Sequence, residues 1–227
     1  GNASGVVFIG QNAGQSWDYD YSQAKTVLIG QYAASGLTSG IGNTVVGARA
    51  ATSLVTFASA NTMIGSDAGN SVTTGTNNTC IGYDSDTATA TSSDSVTLGD
   101  GYITSLRCNV TTISSLSDER DKTNILDLDQ GWEFIKRLRP VKFDWARRND
   151  TRGDYTGKKE YGFIAQELQA LENEFNIKEY TQLVLDDNPD KLEAAPMRTY
   201  PILVQAVKEL ITRLEAAEQK ITQLQNA

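Results

Sequence analysis

A short apolar string closed by glycine recurs through the first half of the chain, and its spacing limits the fold more than any other feature. Val6-Val7-Phe8-Ile9-Gly10 is followed by Thr26-Val27-Leu28-Ile29-Gly30, Asn43-Thr44-Val45-Val46-Gly47 and Asn61-Thr62-Met63-Ile64-Gly65. Asn78-Thr79-Cys80-Ile81-Gly82 and Ser95-Val96-Thr97-Leu98-Gly99 complete the set, and the glycines fall 17 to 20 residues apart. A period of this length is the mark of a solenoid or stacked-strand array, in which each coil packs only on its neighbours. The β-branched and apolar residues read as a short strand. The glycine after them allows a corner with positive φ or a close backbone approach. The Asn-Thr before them suits a turn. One coil buries few side chains, so stability must come from stacking or from winding three chains together.

Two stretches interrupt the period and read as insertions: Ser16 to Gln23, with Trp17, Tyr19 and Tyr21, and Ala48 to Ala60. Insertions in solenoids fall on one face and can bind ligands. Their aromatics are candidate contacts for a sugar, a receptor or a neighbouring chain. None of the repeat glycines leads into Gly-Lys-Ser/Thr or a helix, so the structural reading is preferred to a phosphate-cradling loop.

The composition changes at Ser117. Residues 1–116 hold 3 basic and 7 acidic side chains, and residues 117–227 hold 17 and 21. Neither half has the basic footprint of a nucleic-acid binder. Like-charge repulsion disfavours DNA and anionic lipid. No apolar run is long enough for a membrane span. Cys80 and Cys108 do not make a disulfide framework or a zinc site, and both read as small fillers of repeat strands. No cofactor is implied. Gly1 starts in mid-repeat, as expected for the C-terminal piece of a longer protein.

The second half reads as a compact α+β domain with a helical tail. Leu128 to Leu138 is a predicted helix with Trp132, Ile135 and Leu138 on one face, ended by Pro140. Val141, Phe143 and Trp145 alternate as in a half-buried strand. A charged loop over 147–159 leads to a strand over 161–165, a helix over 166–175 and a short strand over 183–185. From about Thr199 a helix runs to the end, with Pro201 in its first turn. Leu203, Val207, Leu210, Leu214, Ala217, Ile221 and Leu224 alternate at spacings of 4 and 3, a heptad seam suited to self-association. Val207 and Ile221 at one seam position, with leucines at the other, favour two strands.

Asp127-Leu128-Asp129-Gln130-Gly131 and Asp186-Asp187-Asn188-Pro189-Asp190 look like calcium strings, but the first has its glycine out of register and the second is turn chemistry, so no metal site is expected. The sequons at Asn77, Asn109 and Asn149 matter only in a eukaryotic secretory pathway.

At the join stands Ser117-Asp118-Glu119-Arg120-Asp121-Lys122. As residues alone, Ser117 to Arg120 make a helix N-cap with acidic residues favouring the dipole. The same string puts a serine and a lysine five positions apart in a chain with no histidine. A serine hydroxyl is a poor nucleophile until a base takes its proton, and a neutral lysine amine can do so. A lysine at its ordinary pKa near 10.4 is neutral in roughly one molecule in a few thousand at pH 7. Burial or a neighbouring cation has to lower that pKa.

Ser-Asp-x-Arg-x-Lys, the apolar Ile125 soon after it, and Tyr161-Gly162-Phe163-Ile164-Ala165-Gln166-Glu167 resemble the C-terminal intramolecular chaperone domain of tailed-phage fibres and endosialidases, which also occurs in the myelin regulatory factor. The resemblance covers Ser117 to the C-terminus. It implies a homotrimer that helps the preceding fibre fold and then cuts itself off before the motif serine, here at Leu116–Ser117. It assigns Ser117 as nucleophile and Lys122 as general base. Asp118 and Arg120 are accessory candidates, Asp118 to position the motif and Arg120 to act on Lys122 or on the oxyanion. The repeat unit resembles, more weakly, the head repeats of trimeric autotransporter adhesins. The expected architecture is therefore a β repeat shaft, a stacked-strand β-roll or β-helix, over residues 1–116, and an α+β chaperone domain over 117–227 ending in a coiled-coil helix from about 199. The expected place is a virion tail fibre or spike, assembled in the host cytoplasm, that binds a host surface receptor such as a glycan. The competing expectation is a non-cleaving, adhesive trimeric fibre tip.

Overall fold

The structure, a computed structural model, describes residues 5–18, 25–110, 112–148, 153 and 156–226. The chain forms two compact units, Gly1–Arg107 and Cys108–Ala227.

The first unit is a β-solenoid of about five turns. Its strands are β1 (Val7–Ile9), β2 (Val27–Ile29), β3 (Thr44–Val46), β4 (Thr62–Ile64), β5 (Thr79–Ile81) and β6 (Val96–Leu98). They form one parallel sheet in sequence order. The register is unbroken: Leu28 lies beside Val45, Val45 beside Met63, and Met63 beside Cys80. Those central strand residues point inward and are fully buried. The flanking positions look outward, where Ile9, Ile64, Ile81 and Leu98 are all exposed.

Two further columns fill the core. Ala33, Ala34, Ala50, Ala51 and Ala68 turn the corner after the glycine, and Trp17, Leu37, Leu54 and Val72 stack beyond them. Each member of that last column follows its repeat glycine by the same seven residues. Ala48 to Ala60 is therefore not an insertion. Arg49 donates its backbone N–H to Gln31, and Ala51 donates to Ala68, as regular rungs of the coil. Trp17 is buried edge-on to Phe8, with ring centroids 5.6 Å apart. Tyr19 and Tyr21 lie outside the described residues, as do the sequon residues Thr111, Asn149, Asp150 and Thr151.

Steric demand explains the glycines. Gly47 has φ +147°, and a Cβ there would stand 2.1 Å from the carbonyl oxygen of Gly65 in the next coil. No side chain fits between two backbones at that distance, so the corner must be glycine.

The asparagine before the strand does more than turn the chain. Asn43, Asn61 and Asn78 are fully buried and stacked one above another. Asn61 donates its backbone N–H to Oδ1 of Asn43 (3.0 Å), and Asn78 does the same to Oδ1 of Asn61 (3.0 Å). Their amide nitrogens donate across the coil to the carbonyls of Ala58, Gly75 and Ser92 at 2.7–2.9 Å. A buried amide is tolerated when it is hydrogen-bonded, and the side-chain oxygen and nitrogen of each asparagine in this ladder both have a partner.

Cys80 fills the β5 core position, and burial pushes its thiol up to about 11. Cys108 is not a strand filler. It lies beyond β6 and is exposed.

The second unit holds α1 (Trp132–Arg137), the hairpin β7 (Val141–Asp144) with β8 (Lys159–Gly162), α2 (Ala165–Phe175), α3 (Lys178–Thr181), the pair β9 (Val184–Leu185) with β10 (Glu193–Ala194), and α4 (Tyr200–Gln225). Its core is Phe134, Leu168, Ile177, Leu183, Val184 and Ile202. Helix α1 starts four residues later than the apolar spacing predicts. Gly131 lets α4 approach: Oε2 of Glu209 accepts the Trp132 N–H at 2.8 Å, and a Cβ on Gly131 would fall 2.1 Å from Oε1 of the same carboxylate. A carboxylate at a helix N-terminus meets both unpaired N–H groups and the positive end of the dipole. The fully buried residue of α1 is Phe134, and Trp132, Ile135 and Leu138 are only half-buried.

Helix α4 docks through Ile202 and Ala206. Its heptad seam does not pack on its own unit: Leu203, Val207, Leu210, Leu214, Ile221 and Leu224 are all exposed. No helix of the described residues is long and apolar enough to cross a membrane.

Candidate active site

Residues 112–118 form no regular element, and Ile113 and Leu116 are each 97% exposed. The chain then makes one 3-10 turn, Glu119–Asp121. The cap is Asp118, one residue later than a cap at Ser117 would be. Its Oδ1 accepts the Arg120 backbone N–H at 2.9 Å. The same carboxylate takes the Arg120 guanidinium through Nε (3.0 Å) and Nη2 (2.6 Å). That side-chain pairing holds the Asp118 carboxyl below the usual carboxylate range. Arg120 is thus held by Asp118 through two side-chain hydrogen bonds.

Ser117 and Lys122 flank this turn, and Asp118 and Lys122 at its two ends are extended. Lys122 donates its backbone N–H to Glu119 (3.1 Å), which closes the turn. Its side chain then folds back, with Nζ 2.7 Å from Ser117 Oγ and 3.2 Å from the Ser117 carbonyl oxygen. The five-residue spacing works because one 3-10 turn advances three residues and reverses the chain. All six residues of the motif are exposed. Arranged this way, the pair can hand a proton from hydroxyl to amine whenever the amine is neutral.

The second motif runs from the end of β8 into α2. Gly162 packs beside Phe143, and Phe163 and Ala165 pack on the core. Glu167 pairs with Arg139 through two hydrogen bonds, and that pairing lowers its carboxyl from the ordinary range. No hydrogen bond or ion pair of the described residues joins residues 161–167 to Ser117 or Lys122, so this motif builds the unit that carries the turn. Among the described residues no acidic, His or Cys cluster could hold a metal. Asp186, from one calcium-like string, is taken up by Lys178 (2.5 Å) and Gln169 (2.9 Å).

The asparagine ladder, the Glu209 cap and the Arg139–Glu167 pair were not foreseen. Asn at one fixed offset before three successive strands was a readable signal for the ladder. The other two join residues far apart in sequence and leave no local pattern.

Together these features define a β-solenoid followed by a small α+β unit with a projecting amphipathic helix. Residues 117–184 match the model of the peptidase family described as chaperone of endosialidase, which supports reading this stretch as an intramolecular chaperone domain. The match begins at Ser117 itself and ends in β9, before α4. Comparisons with curated proteins and with solved structures gave no match.

Proposed function

We propose that this chain is the C-terminal region of a phage tail fibre or spike, in which residues 117–227 trimerise and fold residues 1–116 and then release themselves by cutting Leu116–Ser117. The observation that carries this reading is Lys122 Nζ standing 2.7 Å from Ser117 Oγ. Neutral Lys122 accepts the Oγ proton while Oγ attacks the Leu116 carbonyl carbon. The Leu116–Ser117 C–N bond breaks, and the Ser117 amine leaves with the proton returned by Lys122. The Leu116 acyl group is then an ester on Oγ. Water hydrolyses it to a Leu116 carboxylate and restores the serine hydroxyl. Asp118 and Arg120 act as positioning residues that lock the turn.

Three exposed features favour self-association, and the family resemblance makes a homotrimer the working state. The α4 seam, the outward column of Ile9, Ile64, Ile81 and Leu98, and Leu116 beside the dyad are all apolar and open in one chain. Burial favours the neutral form of an amine, so neighbouring chains that cover the dyad would favour proton transfer to it. Cleavage would then follow assembly. The released shaft would meet a host surface receptor, a glycan being one chemistry its exposed aromatics suit.

Incubation of the wild type, Ser117→Ala and Lys122→Ala, read by fragment mass, tests the proposal. The wild type yields two pieces, the second beginning at Ser117. Ser117→Ala stays whole, and Lys122→Ala slows by about 10²–10⁴-fold, the usual loss for a missing general base. The rate falls as pH drops, because protonated lysine accepts no proton. Light scattering on uncleaved Ser117→Ala gives three copies, and Leu210→Asp with Leu214→Asp dissociates them by burying unpaired charge. An unchanged rate in Ser117→Ala would leave the hexapeptide a cap and the chain an adhesive tip.

A further inference from the structure

An open groove of about 330 Å³ lies where the C-terminal end of α1 meets α2. Leu138, Phe163 and Leu171 contribute its apolar floor. Two ion pairs rim it, Arg137 with Glu174 and Arg139 with Glu167. Each arginine is about half exposed and gives two of its N–H groups to its glutamate. A guanidinium has five such donors, so each keeps others for a second carboxylate.

The same unit carries a segment with the matching pattern. Ile125-Leu126-Asp127-Leu128-Asp129 has no regular element, and Ile125 and Leu126 are 63% and 84% exposed. Its two aspartates flank one leucine and, in extended chain, stand about 7 Å apart. Arg137 and Arg139 flank Leu138, which is itself extended at φ −64°, ψ 135°, and so share that spacing. In its own chain the segment sits just before the N-terminal end of α1, whose six residues rise about 9 Å before the groove at the other end of that helix is reached.

We propose that the groove is the socket for residues 125–129 of a second copy of this chain, with Leu126 and Leu128 on the apolar floor and Asp127 and Asp129 on Arg137 and Arg139. Ile125 is three residues beyond Lys122, so docking fixes the segment that leads out of the dyad. A neighbouring chain then stands against the turn only when the copies are in register. That consequence for cleavage rests on the self-cleavage reading, whereas the socket does not.

Disulfide trapping in a Ser117→Ala, Cys108→Ser background tests the socket without any cleavage. One chain carries Leu126→Cys and a second, tagged chain carries Ala170→Cys, a groove position that is exposed. Co-expression and mild oxidation give a disulfide-linked pair of the two chains. Tyr180→Cys, exposed elsewhere on the unit, gives none with Leu126→Cys. Absence of the linked pair from Leu126→Cys with Ala170→Cys, or a disulfide only at monomer mass when one chain carries both substitutions, overturns the socket. A linked pair together with an uncut wild type would sink self-cleavage and leave the socket standing. A wild type that cuts but gives no linked pair would sink the socket alone. In the otherwise native chain, Leu126→Asp lowers the cleavage rate at least tenfold, while Tyr180→Asp leaves it unchanged.

Discussion

Asn61 gives its backbone N–H to the side-chain oxygen of Asn43, and its own side-chain oxygen receives the backbone N–H of Asn78. One residue thus ties three coils. Asn61→Ala strips the Asn78 N–H and the Gly75 carbonyl of their partners inside the core. Each buried group left unpaired costs about 1–3 kcal/mol, so the variant loses roughly 2–6 kcal/mol. Denaturant unfolding of the full chain measures it. Thr56→Ala, an exposed hydroxyl, stays within about 0.5 kcal/mol.

Two glycines separate backbone strain from lack of space. Both Gly47 and Gly157 have positive φ, but a Cβ on Gly157 meets nothing within 4 Å, whereas on Gly47 it strikes the Gly65 carbonyl. Gly157→Ala costs about 1 kcal/mol through its φ alone. Gly47→Ala must push adjacent coils away from each other and costs about 3 kcal/mol or more. Equal melting temperatures for the two variants would refute the close-approach argument.

The two thiols respond differently to alkylation. The thiolate is the reactive form. Burial pushes Cys80 up to about 11 and closes it to reagent, while Cys108 is exposed. Maleimide on the native chain adds one label, mapped by mass to Cys108. A second label appears only on unfolding.

Arg49 and Asp67 join adjacent coils through two hydrogen bonds of 2.8 and 2.7 Å. The Arg49 hydrogen bond depresses the Asp67 carboxyl. Its folded pKa lies below its unfolded one, so the pair stabilises fully above the unfolded value. That stability fades as pH falls through the folded value. Arg49 is largely exposed, so solvent screening keeps the effect small. Asp67→Asn therefore narrows the stability gap to the wild type as pH drops from about 6 to about 2.

Much of this fold was legible, because a solenoid repeats its constraints. Six glycines at near-constant spacing define the corners, and the apolar strings between them define the strands. The misreading of Ala48 to Ala60 came from aligning strands alone. The core column at Trp17, Leu37, Leu54 and Val72 sits at a fixed offset but varies in size and is flanked by polar residues. In the second unit the start of α1 was misplaced because Glu209, far along the chain, sets it. The apolar spacing from Leu128 was real, but Gly131 and that carboxylate overrode it. The serine–lysine pair was readable because both residues sit within one turn. The capture of Arg120 by Asp118 was not, since the sequence offered Arg120 several partners at similar reach.

The unbroken register of β1 to β6 makes the solenoid a ruler marked in whole coils. Every inward contact is made again one coil later, and each coil adds about 4.8 Å along the stack. Removal of one complete period, such as residues 65–81, brings Ile64 to Gly82 and leaves strand following corner as before. A shaft built this way can be shortened or lengthened by recombination between its own repeats. A deletion that is not a whole coil would move apolar residues onto the wrong face and be eliminated. Length therefore varies in steps, and natural variants of such a shaft should differ by multiples of about 17 or 18 residues.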